Sequence, residues 1–258
     1  MSRASLVERL RGSELLLSSW STVPDPLVAE TLARDRWDAC TIDLQHGMMG
    51  YAEARAMVMA ITGVGKPAMA RLPLDGLSMA ARMLDIGVEG IIAPMINCAA
   101  DVAALVDALR YPPDGNRSWG AYRAMAVGGL GREAYLAEAN RRVALFAMIE
   151  TREAVANLET IAATPGLAGL FVGPSDLTIS MTQGRTYEPD GEPDVLEAMR
   201  EVVAVAKAHG LCPGIFTPNA QQAALRIAYG FRFVTVGSDL AFMAAGSASA
   251  LNTLRQSN

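Results

Sequence analysis

Residues 143–176 read VALFAMIETREAVANLETIAATPGLAGLFVGPSD. The apolar run 143–149 ends at Glu150, and an amphipathic stretch follows at 152–163. A second apolar run at 169–172 then ends in Gly173-Pro174-Ser175-Asp176. A short buried strand, a helix and another short buried strand form a β-α-β unit, which demands parallel pairing of its two strands. Working outward from this unit, the same rhythm covers the chain. Candidate strands lie at 14–23, 39–45, 67–72, 90–95, 143–150, 169–174, 212–217 and 231–237. Helical patterns lie at 26–36, 52–62, 77–86, 100–109, 152–163, 192–209, 220–228 and 240–254. Eight strands, each followed by a helix, predict a closed (β/α)8 TIM barrel, for which about 250 residues is an ordinary length. An open doubly wound sheet would usually place a GxGxxG turn after its first strand, and none occurs. We read the whole chain, 1–258, as a single barrel domain, with one long irregular segment at 110–142.

The chain has 258 residues, 22 basic against 27 acidic, for a formal net charge of -5. That balance argues against a nucleic-acid or anionic-membrane partner, both of which require clustered positive charge. No apolar run approaches the roughly 20 residues of a membrane span. The N-terminal apolar stretch is interrupted by charges, unlike a signal peptide. The three cysteines, Cys40, Cys98 and Cys212, are widely spaced. They suit neither a disulfide framework nor a CxxC metal knuckle, so the expected setting is a reducing cytoplasm.

In a barrel of this class the chemistry sits where the strands end. The second strand ends in Asp43-Leu44-Gln45-His46-Gly47, the third in Arg71-Leu72-Pro73, the fourth in Pro94-Met95, the fifth in Glu150 and the sixth in Gly173-Pro174-Ser175-Asp176. Burying an unpaired carboxylate is costly, so an acid directly after an apolar run calls for a partner. For Glu150 or Asp176 alone, a helix-capping role is the simpler account. Together at adjacent strand ends they form a pair of hard oxygen ligands suited to Mg2+ or Mn2+. Histidine-rich zinc ligation is disfavoured, since the chain has only His46 and His209. His46 is read as catalytic, with Asp43 orienting it or holding a water; a hydrogen-bonded core histidine is the alternative. His209 closes a helix and suits its dipole. Arg71 offers a fork of donors to a carboxylate or enolate oxygen, or to a neighbouring acid. Backbone N–H groups of the Gly173-Pro174-Ser175 turn can receive a substrate carboxylate at a helix N-terminus. In the long loop, Arg117 and Arg123 are candidates for a distal substrate group, with Trp119 and Tyr122 shaping the mouth.

Lysine usage removes one branch of chemistry. Only Lys66 and Lys207 occur, one just before the third strand and one in an amphipathic helix. A Schiff-base mechanism needs a lysine amine inside the site, so the electron sink is expected to be a metal ion acting as Lewis acid.

DLQHG at 43–47, ARLP at 70–73, DIGVEGIIAPM at 85–95, RYPPDGNRSWG at 110–120, IETREAVANL at 149–158 and GLFVGPSDLTISM at 169–181 follow one another along the chain. In that order the sequence resembles the HpcH/HpaI family of 2-oxo acid aldolases, which includes 4-hydroxy-2-oxoheptanedioate and 2-dehydro-3-deoxyglucarate aldolases. The resemblance covers almost the full chain. It implies a class II pyruvate aldolase (a carbon–carbon lyase) in which Glu150 and Asp176 hold Mg2+, Mn2+ or Co2+. It further implies that Arg71 stabilises the enolate, that the 173–176 turn takes the carboxylate, and that His46, supported by Asp43, shuttles protons with a water. Asp85 falls on a family position near the site. Many relatives carry Glu where this chain has Gln45. The resemblance also implies a last helix swapped between partners and a homohexamer built as a trimer of dimers. Alternatives on the same residues are an oxaloacetate decarboxylase, a CoA-thioester lyase, or a non-catalytic barrel that captures 2-oxo acids.

Overall fold

In a computed structural model, which describes residues 5–256, eight strands close into a parallel barrel in simple sequence order. They are β1 (Leu16–Ser21), β2 (Ala39–Asp43), β3 (Ala68–Arg71), β4 (Gly90–Ala93), β5 (Ala144–Ile149), β6 (Gly169–Val172), β7 (Cys212–Thr217) and β8 (Phe233–Val236). Each lies within a segment expected to be a strand. The barrel closes through β1 against β8, with Leu16 opposite Phe233 and Ser18 opposite Thr235.

Because side chains alternate across a strand, each strand divides its residues between two cores. One set, including Ile42, Ala70, Ile91, Leu145, Ile149, Leu170 and Val234, packs outward under the helices. The other, including Leu16, Trp20, Met69, Ile92, Phe146, Met148, Phe171 and Phe233, fills the barrel. Phe146, Phe171 and Phe233 lie with ring centroids 5.3 to 6.3 Å apart. A barrel of this size is thus a packed core and not a pore. The short helix Leu6–Arg11 inserts Leu6, Val7 and Leu10 into that same core from the N-terminal end.

The structure corrects the reading of 110–142 as irregular. It contains the helices Tyr122–Gly128 and Arg132–Arg142, separated by Gly129, whose φ of 64° ends the first. Each buries little (Ala124 in one, Tyr135 and Ala139 in the other), so neither carries a strong apolar stripe. Among the described residues no helix is long and apolar enough to cross a membrane.

Candidate active site

The inward parity of the strands decides which side chains reach the C-terminal mouth. In β2, Thr41 faces the interior, where it bonds Ser18 at 2.9 Å, and Asp43 follows two residues later. In β3, Arg71 follows Met69. In β5 the inward series Ala144, Phe146, Met148 continues to Glu150, and in β6 Phe171 continues to Gly173. A cavity of about 280 Å3 opens here, lined by Trp20, Thr22, Asp43, His46, Arg71, Met148, the 173–176 turn, Phe216 and Ser238. Its floor is Trp20, which stacks on Phe171 at 6.3 Å and meets Phe216 edge-on at 5.2 Å.

Arg71 and Asp43 form a buried fork. Nε donates to Oδ1 at 2.9 Å and Nη2 to Oδ2 at 2.6 Å. Asp43 also accepts the backbone N–H of Gln45 (3.1 Å) and His46 (3.2 Å) and Trp20 Nε1 (3.3 Å). Burial opposes the charge on Asp43, yet the Arg71 bonds and these N–H groups hold its carboxyl below the usual range. Asp43 therefore fixes Arg71 and the backbone that carries His46, not the imidazole. Arg71 lies 4.9 Å over the Trp20 ring, a cation–π contact that further restricts the guanidinium. His46 is exposed at the mouth, and Gln45 Oε1 beside it is buried without a hydrogen-bond partner.

Glu150 is only 2% exposed and accepts the backbone N–H of Met95 at 2.7 Å. Met95 adopts φ 54°, a left-handed conformation rare for a non-glycine residue, and this aims its N–H at the carboxylate. Burial pushes the Glu150 carboxyl up to about 7; the nearby charge of Asp176 adds to this, while the Met95 bond and Arg71 oppose it. Asp176 is exposed in the first turn of the helix Pro174–Met181, whose N-cap, Gly173, supplies no side-chain cap. A Cβ at Gly173 would stand 2.5 Å from Glu150 Oε2 and 2.6 Å from Met148 Cε. Glycine there lets the two acids share one corner of the mouth. Among the described residues no group of three or more His, Cys, Asp or Glu is arranged for a metal. A cation on this rim would thus rest on two carboxylates and take its other ligands from water or substrate, as Mg2+ and Mn2+ do readily. A buried acid with one donor and a negative neighbour is a donor set that fits such an ion.

Several expected residues lie elsewhere. Arg123 was expected at a distal substrate group, but it donates to Ile86 O, between a helix and the start of β4, and to Thr62 Oγ1 at 2.8 Å. It satisfies the end of a helix at the opposite face of the barrel. Asp85, expected near the site, ends the helix Leu77–Asp85 at that same far face and pairs with buried Arg117 at 2.7 Å. Within one chain neither reaches the cavity. Arg117 also lies over Tyr111 (4.7 Å), while Trp119 sits between Tyr111 and Tyr135, so this loop is an aromatic-lined brace. Lys66 donates to the carbonyls of Asp35 and Trp37, ahead of β2. His209 Nε2 lies 2.8 Å from Glu159 Oε2, outside the site.

Three residues at the mouth escaped the sequence reading. Trp20 and Phe216 are inward positions of β1 and β7, recognisable only once strand parity is fixed. Asp239 is buried and accepts Thr22 N (2.9 Å), Thr22 Oγ1 (2.7 Å) and Val23 N (2.9 Å), tying the loop after β1 to the last helix.

Comparison with known proteins gives a consistent picture. The family model HpcH/HpaI aldolase/citrate lyase matches residues 17–245. A hydroxypyruvate/pyruvate aldolase of Rhizorhabdus wittichii is 38% identical over 231 residues, 90% of each chain. A 5-keto-4-deoxy-D-glucarate aldolase of Salmonella arizonae is 31% identical over 248 residues, 96% of this chain and 95% of the relative. A crystal structure of an HpcH/HpaI aldolase/citrate lyase family protein from Burkholderia cenocepacia is 33% identical. It superposes with a TM-score of 0.88 over 97% of this chain and 98% of that one.

Proposed function

We propose, from the premise that this chain belongs to the HpcH/HpaI aldolase/citrate lyase family and is a class II aldolase, that it cleaves a 4-hydroxy-2-oxo acid reversibly to pyruvate and an aldehyde. The observation that carries this reading is buried Glu150 beside Asp176, across the same mouth as the Arg71–Asp43 fork, with no lysine in reach. A divalent cation held by Glu150 and Asp176 would supply Lewis-acid polarisation of the 2-keto group.

The protein's own groups then divide the work. The uncapped helix N-terminus at Ser175 and Asp176 receives the carboxylate of the 2-oxo acid. Arg71, held rigid by Asp43 and Trp20, points its remaining donors at the keto oxygen, where negative charge develops; preorganised donors of this kind are usually the largest catalytic contribution. In cleavage, His46 acts through a water as base and removes the C4 hydroxyl proton. The C3–C4 bond breaks as the C4 carbonyl forms, and its electron pair passes into the pyruvate enolate. The same water-linked base returns a proton to C3, releasing pyruvate; synthesis runs these steps backwards. Asp43 is a positioning residue for both Arg71 and the His46 backbone.

We also infer that the chain acts as one domain in a homo-oligomer. The helix Asp239–Gln256 buries only Asp239 within the chain, leaving Leu240, Met243 and Leu251 about half exposed. Exchange of that helix between copies in a hexamer would cover them.

The test is deuterium exchange into the pyruvate methyl group, followed by NMR with and without added Mg2+ or Mn2+. Metal-dependent exchange that disappears in Glu150→Ala supports the reading. Exchange undiminished after both that substitution and complete chelation rejects it.

A further inference from the structure

A second cavity, of about 360 Å3, abuts the first and shares Pro174, Ser175 and Phe216 with it. Its remaining walls are the 187–190 segment, the end of β7 at Thr217, the cap residue Asn219, and Gln222 and Arg226 from the first and last turns of the helix Ala220–Tyr229. An acceptor carbonyl attacked in the first cavity would project its chain here, across Ser175 and Phe216.

The charge of this second cavity is distinctive. Arg226 is 3% exposed and is its arginine, yet its guanidinium is tied to Asp190, which also accepts from Gln222 Nε2. Burial works against the charge on Asp190, but the Arg226 and Gln222 bonds hold its carboxyl below the usual range, so the pair is a closed, neutral unit. Glu188 adds a further negative charge to the wall, and Asp176 stands next door. What remains available is polar and uncharged: the hydroxyls of Ser175 and Tyr187, the N–H groups of the Asn219 amide, whose oxygen caps the helix, and Gln222 Oε1, which is buried without a partner; the Thr217 hydroxyl is spent on Thr235 O at 2.7 Å. Among the described residues, the arginines lining the two cavities are Arg71, bonded to Asp43 with its remaining donors assigned to the keto oxygen, and Arg226, bonded to Asp190.

We propose that this second cavity is the acceptor subsite and that it selects neutral, hydroxylated aldehydes over aldehydes bearing a carboxylate. The inference rests on the aldolase reading above and extends it to the substrate class. A hydroxyl can pair with Gln222 Oε1 and the wall hydroxyls, whereas a carboxylate would meet Glu188 and a guanidinium already neutralised.

The experiment compares two four-carbon acceptors, D-erythrose and succinic semialdehyde, in pyruvate addition by the wild-type enzyme with Mn2+. The expected kcat/KM ratio favours erythrose at least tenfold. Asp190→Asn keeps the shape but leaves Arg226 with an uncompensated charge, and it moves the ratio toward the semialdehyde by about tenfold. Gln222→Glu adds a negative charge and moves the ratio the other way. Wild-type preference for the semialdehyde, or a ratio that neither substitution moves, overturns the proposal. Pyruvate methyl exchange by the unmodified enzyme separates the two levels. Exchange present with the wrong acceptor ratio sinks only the subsite, whereas exchange absent removes the aldolase reading and the subsite with it.

Discussion

At the scale of single residues, the site is built from charges whose environments pull in opposite directions. Asp43 is buried but richly donated to, and stays ionised; Glu150 is buried with one donor and a negative neighbour, and holds its proton to about 7. That raised value predicts a pH-dependent stability. Between the ordinary Glu range near 4.5 and about 7, the folded chain binds more protons than the unfolded chain. In chelator-treated protein this contribution is therefore fully present below 4.5 and is lost as pH rises through 7. The loss is on the order of 3 kcal/mol from the shift alone. Glu150→Gln should flatten that decline and be the more stable protein at pH 8, measured by urea unfolding in EDTA at pH 5 and pH 8; an unchanged pH slope contradicts the assignment. Arg71 makes the complementary case. Lysine keeps the charge but cannot reproduce a two-point fork to Asp43 while reaching a keto oxygen. Arg71→Lys is expected to lower kcat/KM by roughly 10²–10³-fold, the usual cost of one preorganised donor, with far-UV circular dichroism unchanged.

At the scale of elements, the strand ends set where these charges stand. A methyl group at position 173 has no backbone penalty, since Gly173 has φ -95° and ψ 93°. It would still collide with Glu150 Oε2 at 2.5 Å. Gly173→Ala should therefore displace the Glu150 carboxylate and weaken Mn2+ binding roughly 10–100-fold, the range seen when a ligand loses its supporting geometry. Calorimetric titration with Mn2+ reads this directly, and wild-type affinity in the variant would count against the two-carboxylate site. The same elements show what a sequence can disclose. All eight strands were legible because each is a short apolar run between helical patterns, and the terminal residues Asp43, Arg71, Glu150 and Asp176 were legible because polar groups closing such runs need an explanation. The role of Arg123 was not, because a long loop after the fourth helix can fold toward either end of a barrel; Asp85 closes the helix before β4, and its partner Arg117 comes from that same loop. Here Tyr111, Trp119 and Tyr135 draw it to the far face. The helices at 122–128 and 132–142 were hidden for a related reason. Their buried residues are few and small or isolated, so no apolar period announces them. Trp20 was invisible as a floor residue until the register of β1 against β2 fixed its inward direction.

At the scale of the whole molecule, the last helix is the element that the isolated chain leaves least satisfied. Leu240, Met243 and Leu251 are 46%, 49% and 50% exposed. Leu240 and Met243 are three residues apart and Leu251 lies eight further on, so the three share one face of the helix. An exposed apolar face of this kind usually has a use. In a closed symmetric assembly every copy buries the same face, so one substitution acts at every interface at once. Burying a leucine or methionine side chain contributes about 1.5–3 kcal/mol, and replacing it with an ionised glutamate adds the cost of desolvating a charge. The double substitution Met243→Glu and Leu251→Glu is therefore expected to convert the proposed hexamer into smaller species at micromolar concentration, as read by size-exclusion chromatography with light scattering. The barrel itself should persist, because neither side chain belongs to the core within or around it. Its thermal unfolding should stay cooperative while the mass falls. A wild-type protein that elutes as a monomer, or a variant that keeps the full assembly, would show that this helix does not carry the interface. Asp239 anchors the start of the helix to the loop after β1, two residues from the cavity wall at Trp20. Disassembly should for that reason also raise KM for pyruvate, linking the outermost contact of the molecule to its mouth.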